Sequence, residues 1–120
     1  MGQAFLMGQK GVMKPKVVGL RWNQSTDTYA RLEDASGKER SFFDNIYPWA
    51  GMKRCVLTDS GEVVAYYGEP GFVEDGSTGQ VMVRIPKFYY KAEKAGSDYR
   101  WYVSPKPQVG FRVHPAFIRN

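Results

Sequence analysis

The apolar residues of this chain fall in short alternating runs, and that period limits what it can fold into. Val18, Leu20 and Trp22 alternate with Val17, Gly19, Arg21 and Asn23, the pattern of a strand with one buried face. Gln24-Ser25-Thr26-Asp27 supplies a turn, and Thr28 to Leu32 reads as the returning strand of a hairpin. Arg54 to Thr58 and Glu62 to Tyr67 flank Asp59-Ser60-Gly61, a three-residue connection ending in the Gly that such loops favour. Val81, Val83 and Ile85 alternate with Met82 and Arg84, and Tyr99 to Val103 alternates again. Aromatic residues make up 15% of the 120, beside thirteen Gly and seven Pro. That mixture suits strands and tight turns and argues against a helical bundle. The expected fold is all-β with little helix: successive antiparallel hairpins forming a small sandwich or barrel-like domain.

The remaining segments fit around those hairpins. Residues 1–16 have no clear period and read as an N-terminal arm, leaving residues 17–120 as the β-rich domain. Glu33 to Arg40 reads as a loop, and Ser41 to Met52, punctuated by Pro48 and Gly51, as a short helical turn or irregular packed segment. Glu69-Pro70-Gly71-Phe72 places Pro and Gly at the central positions of a type II turn, and Glu74 to Gly79 is a further loop. Beyond Pro86 the apolar parity shifts to Phe88 and Tyr90, which predicts a bulge or edge irregularity. Lys91 to Asp98 reads as a loop and Ser104 to Gln108 as a stop. The chain stops just after Phe117-Ile118 instead of tapering into a long polar tail, so a docked terminus or the opening portion of a longer polypeptide is expected.

Several chemistries are short of residues. Cys55 is the single cysteine, so one chain can form neither a disulfide nor a cysteine-based metal cluster. His114 is the single histidine; set between apolar neighbours, it reads as a structural imidazole bonded to the backbone. Cys55, beside Val56 and Leu57, reads as a buried inert thiol. No apolar stretch approaches the ~20 residues of a membrane-spanning helix, and the first residues lack the pattern of a secretory signal. The net charge of +5 is unevenly spread: +3 over residues 1–40, −4 over 41–80 and +6 over 81–120. Such a split suits subunit pairing as well as differently solvated faces.

Among binding and catalytic readings, the acidic pairs Glu33-Asp34 and Glu74-Asp75 raise a glycosidase, and the Glu74–Gly79 loop raises calcium. The strongest alternative is a single-stranded nucleic-acid-binding β-barrel module. Arg84, Lys87, Lys91, Lys94, Arg100 and Lys106 interleave with Phe88, Tyr89, Tyr90, Tyr99, Trp101 and Tyr102, so they could track phosphates and stack bases. An exposed aromatic face would stack on sugar rings equally well. Trp49, Tyr66, Tyr67, Tyr89, Trp101 and Tyr102 are the candidate ligand-binding residues, because aromatic rings stack well and dominate interface anchors. The competing reading of each is hydrophobic core. No catalytic residue, metal ligand or cofactor site is expected.

One resemblance adds context. Tyr47 to Cys55, Ala65 to Phe72, Glu74 to Val83, Ile85 to Lys91, Gly110 to Phe117 and Gly19 to Asn23 occur as ordered blocks across residues 17–120. In these blocks the chain resembles tail proteins of phages and prophages of Gram-positive bacteria, of the tail-fibre or receptor-binding kind. The resemblance implies a virion structural protein made in the bacterial cytoplasm. It implies a homo-oligomer, a trimer, that assembles with other phage tail proteins and contacts host cell-wall saccharide. It transfers no binding residue.

Overall fold

A computed structural model of the chain describes residues 16–118. Of the expected N-terminal arm, all but Lys16 lies outside the described residues. The described chain is β-rich and antiparallel, as the hairpin pattern predicts, and it forms an open five-stranded and an open three-stranded sheet. Neither closes into a barrel. The sheets lie in two compact units, one built from the two ends of the chain and one from residues 39–87.

The first unit carries β1 (Val18–Asn23), β2 (Thr28–Glu33), β6 (Tyr89–Ala95), β7 (Asp98–Ser104) and β8 (Arg112–Val113), ordered β2-β1-β7-β6-β8. Two hairpins, β1–β2 and β6–β7, join through an antiparallel β1–β7 ladder that pairs Val18 with Val103 and Asn23 with Asp98. One face of this sheet buries Tyr102 and Ser104. The Tyr102 ring lies over Gly19; a Cβ there would stand 2.7 Å from Tyr102 Cδ1 and 3.1 Å from Leu32 Cβ. Ser104 carries its hydroxyl into the core without an orphaned group, because Oγ donates to the Lys106 carbonyl at 2.8 Å. Past β8, a short 3₁₀ turn over Pro115–Phe117 sets Phe117 edge-on to Phe88 at 5.4 Å. His114 is structural here, as expected: its Nδ1 accepts the Ala116 N–H at 3.1 Å and its ring packs against Phe88 and Tyr90.

The second unit opens with 3₁₀ turns over Arg40–Asn45 and Trp49–Gly51, in agreement with the irregular packed segment that Pro48 and Gly51 predict. Phe43 meets Trp49 edge to face at 4.9 Å, and Gly51 fits under Tyr47 and Pro86. The sheet follows as β3 (Lys53–Leu57), β4 (Val63–Tyr66) and β5 (Gln80–Arg84), ordered β4-β3-β5. Cys55, Val56 and Ala65 are buried at its centre, so both faces of β3 pack at mid-strand. The β3–β4 connection turns at Gly61, whose φ of +90° favours glycine. Thr58 N–H donates to the Glu62 carbonyl at 2.8 Å, closing the hairpin. The Phe72 N–H reaches the Glu69 carbonyl at 3.2 Å across Pro70-Gly71, with Gly71 at φ +91°, the signature of the expected type II turn.

Two local expectations are corrected. The parity change after Pro86 is no bulge: β5 ends at Arg84, and β6 opens at Tyr89 in the other sheet, free to adopt a new facing. The register irregularity lies instead between Val56 and Leu57 in the β3–β4 ladder. Lys91 to Ala95 is strand rather than loop, and only Gly96-Ser97 turns. The charged residues of β6 are tolerated because pairing with β7 satisfies the backbone while Lys and Glu reach solvent.

Candidate binding surface

The registers of the five-stranded sheet bring one set of alternating side chains onto its open face. Tyr29, Trp22, Tyr99 and Lys94 stand directly opposite one another on β2, β1, β7 and β6. The adjacent row on the same face is Arg31, Leu20, Trp101 and Ala92. Four rings stack in sequence across these rows. Tyr29 and Trp22 have centroids 6.3 Å apart at 14°, Trp22 and Tyr99 5.5 Å at 29°, and Tyr99 and Trp101 6.0 Å at 12°. Near-parallel planes at these spacings are offset stacks, a favourable aromatic geometry. The ends of the row are open: Tyr29 is 62% and Trp101 41% exposed.

The row has a fixed rim. Trp22 Nε1 donates to Asp27 Oδ1 at 3.0 Å, which orients the indole from the β1–β2 turn. Asn23 Nδ2 donates to Asp98 Oδ1 at 2.8 Å, and its own Oδ1 accepts from Thr26 N and Oγ1, each at 3.0 Å. Gln24 N–H donates to the Ser97 carbonyl at 2.8 Å, and the Ser25 and Ser97 hydroxyls meet at 2.6 Å. The turns of both hairpins are thereby tied together beside the aromatic row. Lys94 Nζ sits 5.3 Å from the Tyr99 centroid and donates to the Gly96 carbonyl at 3.0 Å, so its charge is held over the row. Arg31 is anchored on the Lys38 carbonyl. This arrangement offers π faces, a phenol hydroxyl and cationic donors at one preorganised surface.

The sequence candidates separate on the structure. Trp101 joins the row. Tyr102, its neighbour, points to the other face and at 7% exposed is a packing residue, a correction to its place among ligand-binding candidates. The reason is strand alternation: successive side chains face opposite sides of a sheet. Tyr89 is half-buried on the same side as Tyr102, where it is paired with Ser104 and Val113. Trp49 is half-buried in the second unit against Phe43. Tyr66 and Tyr67 come together there, lining a shallow groove of about 370 Å³ with Met52, Lys53, Arg54 and Glu69. The groove's polar groups are spent internally. The Arg54 guanidinium lies 3.8 Å from the Tyr67 centroid and pairs with Glu74, and Glu69 accepts the Tyr66 N–H at 2.7 Å. Trp22 and Tyr29 are the members that sequence reasoning missed, and Tyr99 enters it only as a base-stacking residue of the nucleic-acid reading. Their alternation was visible, but only the β1–β7 register places them side by side.

The charged candidates resolve similarly. The Asp34 carboxylate accepts the Val17 N–H at 2.9 Å, capping the entry to β1. Asp75 accepts the Ser77 N–H at 2.9 Å, and hydrogen bonds from the Ser77 side chain and backbone hold its carboxyl below the ordinary value of 3.8. A glycosidase general acid needs its pKa raised, so Asp75 is shifted in the wrong direction for that role. Lys91 is directed over Tyr102 at 4.8 Å and pairs with Glu93 at 3.5 Å, while Arg100 pairs with Asp98 at 3.7 Å. Cys55 is a buried free thiol, as expected. Among the described residues, no three His, Cys, Asp or Glu side chains gather as metal ligands, and no helix is long and apolar enough to cross a membrane. No protein-family profile, no curated protein and no solved structure matches this chain.

Proposed function

We propose that this chain is a non-catalytic, self-associating component of a phage tail, and that the stacked row Tyr29–Trp22–Tyr99–Trp101 is its face for host-surface saccharide. The observation that carries the binding reading is the row itself: four stacked rings on an open sheet face, tied at the rim by the Asn23–Asp98 and Gln24–Ser97 bonds. The apolar C–H face of a pyranose packs on an aromatic ring, and neighbouring donors such as the Tyr29 hydroxyl and Lys94 ammonium reach its hydroxyls. Preorganised rings lose little entropy when a ligand arrives. The tail assignment rests on the sequence blocks between Gly19 and Phe117 that resemble phage tail proteins.

Titration of the full chain with soluble fragments of Gram-positive wall polysaccharide tests the reading, with tryptophan fluorescence as the signal. Saturable quenching that weakens about tenfold or more in Trp101→Ala and in Tyr29→Ala supports it. Unchanged affinity in both variants sinks it. The second reading, single-stranded nucleic acid, is favoured by one observation, the placement of Lys94 and Arg31 on the same face as the rings. Its mark is affinity for an oligonucleotide that falls steeply with added salt.

A further inference from the structure

The three-stranded sheet has two edges of different character. Tyr67 N–H donates to the Arg54 carbonyl at 3.0 Å, whereas the Tyr66 N–H is directed away from β3 and taken by the Glu69 carboxylate at 2.7 Å. At Tyr66 the β4 edge is thus capped by a charged side chain, a recognised guard against strand addition. Alternation along the ladder then assigns the opposite edge. Arg54 and Val56 turn their main-chain groups toward β4, so Lys53, Cys55 and Leu57 turn theirs toward β5. Their partners there are Arg84, Met82 and Gln80, which leaves the N–H and C=O groups of Val81 and Val83 on the outer edge. No described residue hydrogen-bonds to them from that side.

The side chains of this strand are also uncovered. Every residue of β5 is exposed, with Val81 at 40%, Met82 at 45% and Val83 at 54%, and Ile85 continues the apolar run. An apolar strand exposed on both faces with a free edge is a template for another strand. Gln80-Val81-Met82-Val83-Arg84 is complementary to itself in the antiparallel sense. Centred on Met82, each Val81 faces Val83 of a second copy as a hydrogen-bonded pair, Met82 faces Met82, and Gln80 faces Arg84. No like charges meet, and both outward-facing valines find main-chain partners.

We infer that β5 is the self-association edge of this protein: two copies pair β5 to β5 about a two-fold axis at Met82, extending the three-stranded sheet into one of six. Such an interface is isologous and closes at two copies, whereas the sequence resemblance implies three. The inference stands apart from the saccharide reading, since it uses none of the aromatic row.

The test is the solution mass of the full chain by analytical ultracentrifugation. A species of twice 13.6 kDa is expected. The double variant Val81→Lys/Val83→Lys sets Lys against Lys at both bonded pairs and should raise the dissociation constant tenfold or more. Val81→Glu/Val83→Glu should do the same, and mixing the two variants should restore the double mass as a mixed pair. Circular dichroism of each variant, together with that restoration, separates lost pairing from lost folding. A monomeric or trimeric wild type, an unshifted mass in both variants, or variants that remain apart on mixing would overturn the inference.

Discussion

The two sheets expose apolar surface in different ways, and the difference separates two kinds of recognition. On the five-stranded sheet the exposed groups are rings, mutually stacked; β1 and β7, which carry three of them, are paired on both sides, and β2 is paired with β1. A ligand there meets π faces, and the backbone of the central strands offers it nothing. On the three-stranded sheet the exposed groups are aliphatic, and β5 adds main-chain donors and acceptors along its edge that no described residue pairs. Aliphatic side chains give little direction to a small polar ligand, but a free edge gives strong direction to another strand. Ring stacking therefore points to small cyclic ligands, and the open edge points to protein.

The most severe way to break this comparison is Val56→Asp, which places an unpaired carboxylate at a fully buried position of β3. A loss of at least about 3 kcal/mol is expected from denaturant unfolding, with loss of the double-mass species. Next, Tyr102→Ala and Trp101→Ala form a contrast within two successive residues. Tyr102→Ala should cost roughly 3 kcal/mol, because the ring fills the space over Gly19. Trp101→Ala should cost about 1 kcal/mol or less of stability while reducing saccharide affinity. If both lose stability equally, the row is packing rather than a binding face. Gly19→Ala tests the same contact from below: its Cβ would press on the Tyr102 ring, and a loss of about 1–3 kcal/mol is expected by thermal unfolding.

The smallest effect concerns pH. Asp75 is held below its ordinary pKa of 3.8 by the Ser77 hydrogen bonds. A carboxyl lowered in the folded state contributes stability above its unfolded pKa, and that contribution is lost as pH falls through the folded pKa. Thermal midpoints of Asp75→Asn should lie slightly below wild type at neutral pH, and the gap should close below about pH 4. A gap that persists in acid would assign the difference to something other than this carboxylate.

How much of this was legible beforehand varies by residue. Gly61 and Gly71 announce their turns because left-handed backbone is open to glycine with little steric cost. The Gly96-Ser97 turn carries a hairpin signal too, but the charges at Lys91, Glu93 and Lys94 mask the strand that leads into it. Trp101 stands out in the sequence because it lies where aromatic and basic residues interleave, and Trp22 does not, although the two share a face. Tyr102 carries the same local signal as Trp101, although alternation forbids both from facing the same side.

The amino-acid sequence by itself determined the short strands, their turns and the preference for antiparallel hairpins, since these depend on side-chain period and on the φ values that Gly and Pro permit. It also determined the scarcity of cysteine and histidine, and hence the chemistries open to one chain. Only the tertiary structure decided that β1 pairs with β7 across the 74 residues between them and that β5 and β6 part into different sheets. Those choices rest on long-range pairing, in which a one-residue slip would turn every ring of the row to the opposite face. The binding surface exists only through that register, and no local pattern encodes it.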